Sequence, residues 1–236
     1  MASIIHDIRE ELALSADEKT KSSSQKFFKE EIKCYGIKTG VVSQIAKKSW
    51  KAVKDMDKRT IFELCEELYA SDYCEEAFIV SSWVPNLAKQ FEPEDLTIFK
   101  RWIETYINNW AKCDSFCNHA VGDFIVKYPE YIEELKSWTG SDNRWLKRAA
   151  AVSLIVPAKR GKFLTDIFAI ADRLLTDKDD MVQKGYGWLL KEASRCHQRE
   201  IFDYVVSHKA IMPRTALRYA VELMPAELRA EAMRRD

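Results

Sequence analysis

Apolar residues recur every three or four positions along most of the chain. They form stripes within residues 61–68, 96–106 and 163–175, and each stripe covers one face of a helix. No stretch alternates apolar and polar residues for long, and only seven glycines and six prolines interrupt the pattern. The sequence therefore predicts an all-α protein of roughly 12–14 short helices joined by short loops, with no strand.

Segments of similar character recur at a spacing of 36 residues. Residues 148–152 lie two such spacings after residues 76–80, and residues 184–188 lie one further spacing on. Each segment starts with a charged residue and contains small residues, which allow a neighbouring helix to approach closely. A period of about 35–45 residues with two helices in each repeat is typical of a HEAT-like solenoid, an α-α superhelix. A plain helical bundle is the alternative.

The chain has one marked polar interruption, the serine-rich segment from Ser15 to Gln25, which we expect to be a loop between the first two helices. No other break is typical of a domain boundary, so we expect a single domain over residues 1–236. No apolar run approaches the roughly 18 residues needed to cross a bilayer, and the first residues lack the pattern of a signal peptide. We therefore expect a soluble protein with no membrane partner.

Composition narrows the possible functions without selecting one. The 37 basic and 37 acidic residues give a net charge of zero, so a nucleic-acid partner would require the two signs to occupy different faces. The six cysteines include no C-x-x-C pair, which favours reduced core thiols in a cytoplasmic protein over a metal site. The common catalytic motifs for nucleotides, zinc hydrolysis and serine nucleophiles are absent.

The unusual feature of the sequence is the occurrence of tryptophan residues next to charged residues. Trp110 and Asp114 are four residues apart, so on one helix they project from the same face. Arg148 follows Asp114 by 34 residues, and Trp188 follows Arg148 by 40. Equivalent helices of consecutive repeats stand side by side in a solenoid, so we expect these residues to converge on one concave surface.

These groups resemble the DNA alkylation repair glycosylases of the AlkD type, which are built from HEAT-like repeats. The resemblance runs from about residue 22 to the C-terminal helices. The order and spacing of three separate motifs make the resemblance more specific than any single motif. The three phrases that carry it are Trp110-x-x-x-Asp114, Ser141-Asp142-Asn143-x-Trp145-Leu146-x-Arg148-Ala149-Ala150 and Gln183-Lys184-x-x-Gly187-Trp188-x-Leu190-x-Glu192.

The resemblance implies a C-shaped stack of helix pairs that holds duplex DNA, and a monomer. It implies hydrolysis of the N-glycosidic bond of N3- and N7-alkylated purines. By position, the functional set is Trp110, Asp114, Arg148 and Trp188. Two positions depart from the family pattern. Phe28 stands where the best-known relatives carry tyrosine, so a hydroxyl contact to DNA is lost there, and Ala111 replaces an acidic residue.

The chemistry of the reaction suits these residue types. An N3- or N7-alkylated purine is positively charged and leaves as a neutral base, so neither a strong general acid, a metal nor an organic cofactor is required. We expect Asp114 to stabilise the positive charge that develops on the sugar and to orient water. Trp110 and Trp188 would contact the lesion nucleotide through their aromatic faces. We expect DNA backbone contacts from Arg148, Lys147 and Lys184.

The sequence is also compatible with two other functions. A non-catalytic relative would bind branched or damaged DNA without releasing a base. A protein-interaction scaffold is the commonest use of helical solenoids, and the net charge of zero favours it. A basic groove with Trp110 and Trp188 exposed would favour DNA, and a neutral or apolar groove would favour a protein.

Overall fold

Helices make up the regular structure of residues 4–234, which are the residues that the computed structural model describes. No strand occurs within that range, so the prediction of an all-α protein is confirmed. The chain divides into two compact units, Met1–Phe116 and Cys117–Asp236, called here the first and the second unit. No helix in the described part of the chain is long and apolar enough to cross a membrane.

Seven α-helices build the described part of the first unit, residues 4–116. They are α1 (Ile4–Leu14), α2 (Glu18–Gln25), α3 (Thr39–Val53), α4 (Lys58–Ala70), α5 (Cys74–Trp83), α6 (Asp95–Tyr106) and α7 (Trp110–Phe116), with a 3-10 segment at Val84–Gln90. Helices α1, α3, α5 and α7 pack on one another in that order, while α4 packs on α6. Every second helix therefore stands beside its equivalent, as expected for stacked helix pairs.

The second unit repeats this arrangement. It contains a π-helical segment (Cys117–Val121) and a 3-10 turn (Pro129–Tyr131). Its α-helices are α8 (Gly122–Lys127), α9 (Ile132–Trp138), α10 (Arg144–Val152), α11 (Ile155–Ala158), α12 (Leu164–Leu174), α13 (Asp180–Ala193), α14 (Gln198–His208), α15 (Arg214–Ala220) and α16 (Ala226–Met233). Helices α10, α13 and α15 form one row, and α9 packs on α12.

The same kind of N-terminal cap occurs on equivalent helices of successive repeats. The side chain of Asn143 accepts the backbone N–H of Trp145 at 2.8 Å and caps α10. Asp179, 36 residues later, accepts the N–H of Met181 at the same distance and caps α13. Each cap satisfies a backbone donor that the first helical turn leaves without a partner. Two equivalent helices therefore begin by the same device, one period apart.

The small residues of the repeated segment perform the role predicted for them. A Cβ atom on Gly185 would lie 3.2 Å from the Cγ atom of Arg148 on α10. A Cβ atom on Gly187 would lie 2.8 Å from the backbone oxygen of Ala216 on α15. Glycine at these positions lets α13 pack closely against both of its neighbours.

The serine-rich segment is a correction to the sequence prediction. Residues 18–25, expected to be a loop, form helix α2 instead. The side chain of Asp17 caps this helix by accepting the N–H of Thr20 at 2.7 Å, and Glu18 places a negative charge in its first turn. No residue of α2 is buried, so the helix has no apolar stripe from which periodicity could predict it.

Candidate functional site

Helix α7 presents Trp110 and Asp114 on its partly exposed side. Both side chains are half-buried, whereas Lys112, Cys113 and Phe116 on the opposite side are buried. The spacing of four residues thus places the indole ring and the carboxylate on one face, as the sequence predicted. The arrangement offers an aromatic surface next to a negative charge.

Two buried polar residues fix the start of α7. The side-chain oxygen of Asn109, which is 2% exposed, accepts the N–H of Lys112 at 3.0 Å. The ammonium of Lys112 is itself buried and donates to the backbone oxygen of Asp72 at 2.9 Å. It also pairs with the Asp72 carboxylate at 2.5 Å. Because the buried ammonium has both a charge partner and a hydrogen-bond partner, it anchors α7 to the turn before α5.

Phe28 stacks on Trp110. The ring centroids lie 5.1 Å apart and the planes differ by 17°. Offset stacking of this kind contributes about 0.5–1.5 kcal/mol beyond the area that it buries. The structure therefore brings together two residues that the sequence singled out from positions 82 apart.

Glu75 holds the loop that supports this corner of the first unit. Its carboxylate accepts the backbone N–H groups of Tyr35, Gly36 and Ile37 at 3.0, 2.9 and 3.2 Å. Gly36 has a φ of +85°, which favours glycine, and its carbonyl accepts the N–H of Asp17 at the start of α2. The buried carboxylate thus orders a loop that in turn holds the helix preceding Phe28.

The neighbouring carboxylate, Glu76, is fully buried. It accepts the hydroxyl of Tyr35 at 2.8 Å and pairs with the guanidinium of Arg9 at 3.2 Å. Burial and the bond to Glu76 raise the pKa of Tyr35. Sequence reasoning missed both glutamates. The available signal was a pair of acidic residues at the start of α5, whose remaining residues are mostly apolar.

In the second unit, Arg148 is a buried residue that joins two helices. It is 5% exposed, and its Nη1 donates to the backbone oxygen of Met181 at 2.5 Å. The aliphatic part of the side chain lies against Gly185 of α13. The guanidinium therefore ties α10 to α13 in this structure. The phosphate contact expected from the sequence stays a prediction.

Lys147 and Lys184 both pair with acidic residues of the second unit. The ammonium of Lys147 lies 2.8 Å from the Asp177 carboxylate. That of Lys184 lies 3.2 Å from Asp180, four residues earlier on the same helix. All four side chains are half-buried. The predicted contacts of Lys147 and Lys184 to DNA would therefore compete with these ion pairs.

Trp188 lies half-buried on α13 and is held by a carboxylate. Its indole Nε1 donates to Oε1 of Glu192, one helical turn later, at 3.2 Å. Glu192 is 5% exposed and pairs through Oε2 with Nε of Arg195 at 2.6 Å. Burial opposes the charge on Glu192, but the hydrogen bonds from Arg195 and Trp188 outweigh it and lower the pKa of the carboxyl.

The fold and these side chains together define a class: a helical-repeat protein with two partly exposed indole rings, each on the same helix as a nearby carboxylate. Residues 8–224 match the family model described as "DNA alkylation repair enzyme". The chain belongs to this family. Membership confirms the family predicted from the sequence, and it indicates a part in the repair of alkylated DNA.

Solved structures share the fold at low sequence identity. A predicted DNA alkylation repair enzyme from Enterococcus faecalis superposes with a TM-score of 0.80 at 15% identity, covering 90% of this chain and 98% of that one. AlkD2 from Streptococcus mutans has a TM-score of 0.61 at 21% identity, with 89% and 99% covered. The alkylpurine DNA glycosylase AlkC from Pseudomonas fluorescens, bound to DNA containing an abasic site analogue, has a TM-score of 0.50 at 16% identity, with 93% and 61% covered. No curated protein sequence matches the chain.

Proposed function

We propose that the protein is a DNA glycosylase that hydrolyses the N-glycosidic bond of positively charged N3- and N7-alkylated purines in duplex DNA. The observation that carries the proposal is the shared, partly exposed face of Trp110 and Asp114 on α7, with Phe28 stacked on the indole. Membership of an alkylation repair family supports damaged DNA as the substrate. The two residue types supply the chemistry that release of a cationic base needs.

The reaction replaces the C1′–N bond of the nucleotide with a C1′–O bond. The bond between C1′ of the deoxyribose and the purine nitrogen breaks, and its electron pair neutralises the cationic base as it leaves. Water adds to C1′, one of its O–H bonds breaks, and the proton passes to solvent. The Asp114 carboxylate stabilises the positive charge that develops on the sugar and orients the water. No metal or organic cofactor is needed, because the alkylated base is already activated.

The aromatic residues supply selectivity for charge. A cation over an indole face gains about 0.5–2 kcal/mol, so Trp110 and Trp188 favour alkylated purines over neutral bases. Phe28 occupies a face of Trp110 and lacks the hydroxyl of a tyrosine. It therefore contacts DNA by packing alone. Arg148, Lys147 and Lys184 are assigned to the DNA backbone, and each must exchange its present protein partner for a phosphate.

The direct test is release of 3-methyladenine and 7-methylguanine from methylated duplex DNA under single-turnover conditions. We expect Asp114→Asn to lower the rate by about 100-fold or more while duplex binding is retained, because one preorganised charge is removed. Asp123→Asn is the matched control, since Asp123 is a half-buried carboxylate outside the proposed site. Well-folded protein that releases no base, or an Asp114→Asn variant of full activity, would refute the assignment.

A non-catalytic DNA-binding function is the second candidate. The half-buried positions of Trp110 and Asp114 are also compatible with a surface that binds damaged DNA without cleaving it. It predicts tight, salt-sensitive binding of damaged or branched DNA with no base release. A protein scaffold, consistent with the net charge of zero, predicts no DNA binding. The leading proposal also includes a cytoplasmic location and a monomeric state. Sedimentation of the free protein tests the oligomeric state.

A further inference from the structure

A second feature of the structure adds to the role of Trp188. The Glu192 cluster, defined as Lys159, Trp188, Glu192 and Arg195, gathers one carboxylate and three donors at the end of α13. Oε1 of Glu192 accepts the Trp188 indole N–H at 3.2 Å. Oε2 lies 2.6 Å from Nε of Arg195 and 3.7 Å from Nζ of Lys159. One oxygen of the carboxylate therefore accepts the indole N–H, and the other interacts with both cations.

The carboxylate of the cluster is buried, whereas its two cationic partners are exposed to solvent. The Glu192 side chain is 6% exposed, whereas those of Lys159 and Arg195 are 44% and 49% exposed. Arg195 binds Glu192 through Nε, and within residues 4–234 its two terminal nitrogens have no protein partner. Two cations on one carboxylate leave a net positive charge facing solvent. A phosphate is the natural ligand for such an edge, because a guanidinium fork and an ammonium both bind it.

The backbone around Lys159 is fixed on the same edge. The carbonyl of Lys159 accepts the Sγ–H of Cys196 at 3.5 Å, and the carbonyl of Gly161 lies 3.1 Å from Nε2 of His197. Gly161 has a φ of +73°, the left-handed conformation that closes this turn. The turn therefore docks on the residues that follow Arg195. It also carries Arg160 and Lys162, which are both exposed.

We infer that Glu192 is a positioning residue, which couples a phosphate-binding edge made by Lys159 and Arg195 to the orientation of the Trp188 indole ring. The inference rests on the proposed function. An indole ring has two torsions, and a hydrogen bond at its only polar atom selects one orientation. Glu192 holds that orientation on one oxygen while its other oxygen anchors the cations. DNA that engages the cations therefore meets the ring already aligned.

The chain offers a matched control for the indole bond. Glu134 accepts the indole N–H of Trp138 at 3.1 Å, again across four residues of a helix in the second unit. Trp138 is 1% exposed, so core packing sets the orientation of its ring. A change at Glu134 thus removes the same type of charge beside the same type of ring, away from the edge that we assign to phosphate.

The decisive variants are Glu192→Gln and Glu134→Gln. A glutamine at 192 offers one acceptor oxygen where donors approach from two sides, so the indole and the cations cannot both keep their bonds. We expect Glu192→Gln to slow single-turnover base release by about 10-fold or more, because the ring loses its alignment. Affinity for a duplex with an abasic-site analogue should hold or increase, since the local charge becomes more positive. Glu134→Gln should change neither quantity.

A second readout does not depend on activity. The emission of Trp188 is obtained by subtracting the spectrum of the matching Trp188→Phe protein. In Glu192→Gln we expect this emission to be quenched more strongly by acrylamide, a neutral quencher, than in the unchanged protein, and in Glu134→Gln we expect no change. If Glu192→Gln matches Glu134→Gln in emission, the positioning role is wrong. If the unchanged protein releases no base but the emission responds as expected, the proposed function fails and the positioning role stands.

The phosphate half of the inference has its own control. Arg195→Gln should lower the slope of log affinity against log salt for duplex DNA by about one, because one phosphate contact is lost. Arg199→Gln should leave the slope unchanged, since Arg199 is an exposed residue of α14 that pairs with Asp203. Equal slopes for the two variants would overturn the assignment of the edge to phosphate.

Discussion

Trp110 and Trp188 are both half-buried on helices, but the two units hold them by different forces. In the first unit, Phe28 stacks on Trp110 with the ring planes 17° apart. In the second unit, a carboxylate of lowered pKa accepts the Trp188 N–H. Stacking is insensitive to pH and weakly sensitive to salt, whereas a charged hydrogen bond responds to both. The two indole rings should therefore respond differently to the same change of solvent.

The supports beneath the two rings differ as well. Trp110 depends on a loop that is ordered by backbone bonds to the buried Glu75. Trp188 depends on a side-chain bond within its own helix and on cations that reach solvent. Damage to the first support should reach Trp110 through the fold, while damage to the second should change Trp188 locally. The predictions that follow separate these two cases, from the largest effect to the smallest.

The largest effect is expected from Glu75→Ala. Three backbone N–H groups would lose their acceptor, two of them in buried residues. We expect the free energy of unfolding in urea to fall by about 3 kcal/mol or more, because each unsatisfied buried donor costs about 1–3 kcal/mol. Glu63→Ala is the control, since Glu63 is an exposed partner of Arg59 and its loss should cost less than about 1 kcal/mol. Equal losses would show that Glu75 does not order the loop.

The second largest effect is expected from Arg148→Met. Methionine keeps much of the packing against Gly185 but removes the charged hydrogen bond to the Met181 carbonyl. We expect a loss of about 1–3 kcal/mol in the free energy of unfolding. The salt dependence of DNA binding distinguishes the two roles of this residue. Unchanged stability together with a slope reduced by about one would assign Arg148 to phosphate instead of to the helix contact.

A smaller effect is expected from Phe28→Ala. Loss of the stack on Trp110 should cost about 1 kcal/mol of stability, and Phe28→Tyr should restore it because a phenol ring stacks equally well. Base release should fall with Phe28→Ala and not with Phe28→Tyr. A double-mutant cycle with Trp110→Ala measures the coupling, and a coupling energy near zero would mean that the stack does not hold the indole.

The smallest effect is expected from acid. The folded pKa of Glu192 lies below its ordinary value of 4.5, so its contribution to stability is complete above that value. The contribution is lost as the pH falls through the folded pKa. Emission from Trp188, isolated by subtraction of the Trp188→Phe spectrum, should therefore change in the acid range while the protein is still folded.

The repeated helices were predictable from the sequence because apolar periodicity and small residues are local signals. Gly185 and Gly187 show this well, since the close packing expected of them is present on both sides of α13. Helix α2 was missed because it buries nothing, so its local signals were the cap at Asp17 and the acidic Glu18 in its first turn. The spacing of Trp110 and Asp114 predicted their common face, as any pair four apart on a helix does.

The supports of the two indole rings were not predictable in the same way. Glu75 reaches backbone groups about 40 residues away in the chain, and no pattern of residue types encodes which loop a buried carboxylate will meet. Lys159 meets Glu192 from 33 residues earlier for the same reason. Glu192 itself stood within the phrase Gln183–Glu192, but its bond to Trp188 depends on side-chain torsions that spacing does not determine. Polar contacts between residues that are far apart in the chain can thus be identified only from the three-dimensional structure.

Gly187 immediately precedes Trp188 and lies against α15, where even a methyl group would come within 2.8 Å of the Ala216 backbone. The separation between these helices is consequently set by a single hydrogen atom on Gly187. A side chain there would force α13 and α15 apart, although it would touch neither the carboxylate nor the cations of the Glu192 cluster. The position of Trp188 on the protein surface therefore depends on how closely the backbone of α13 approaches α15.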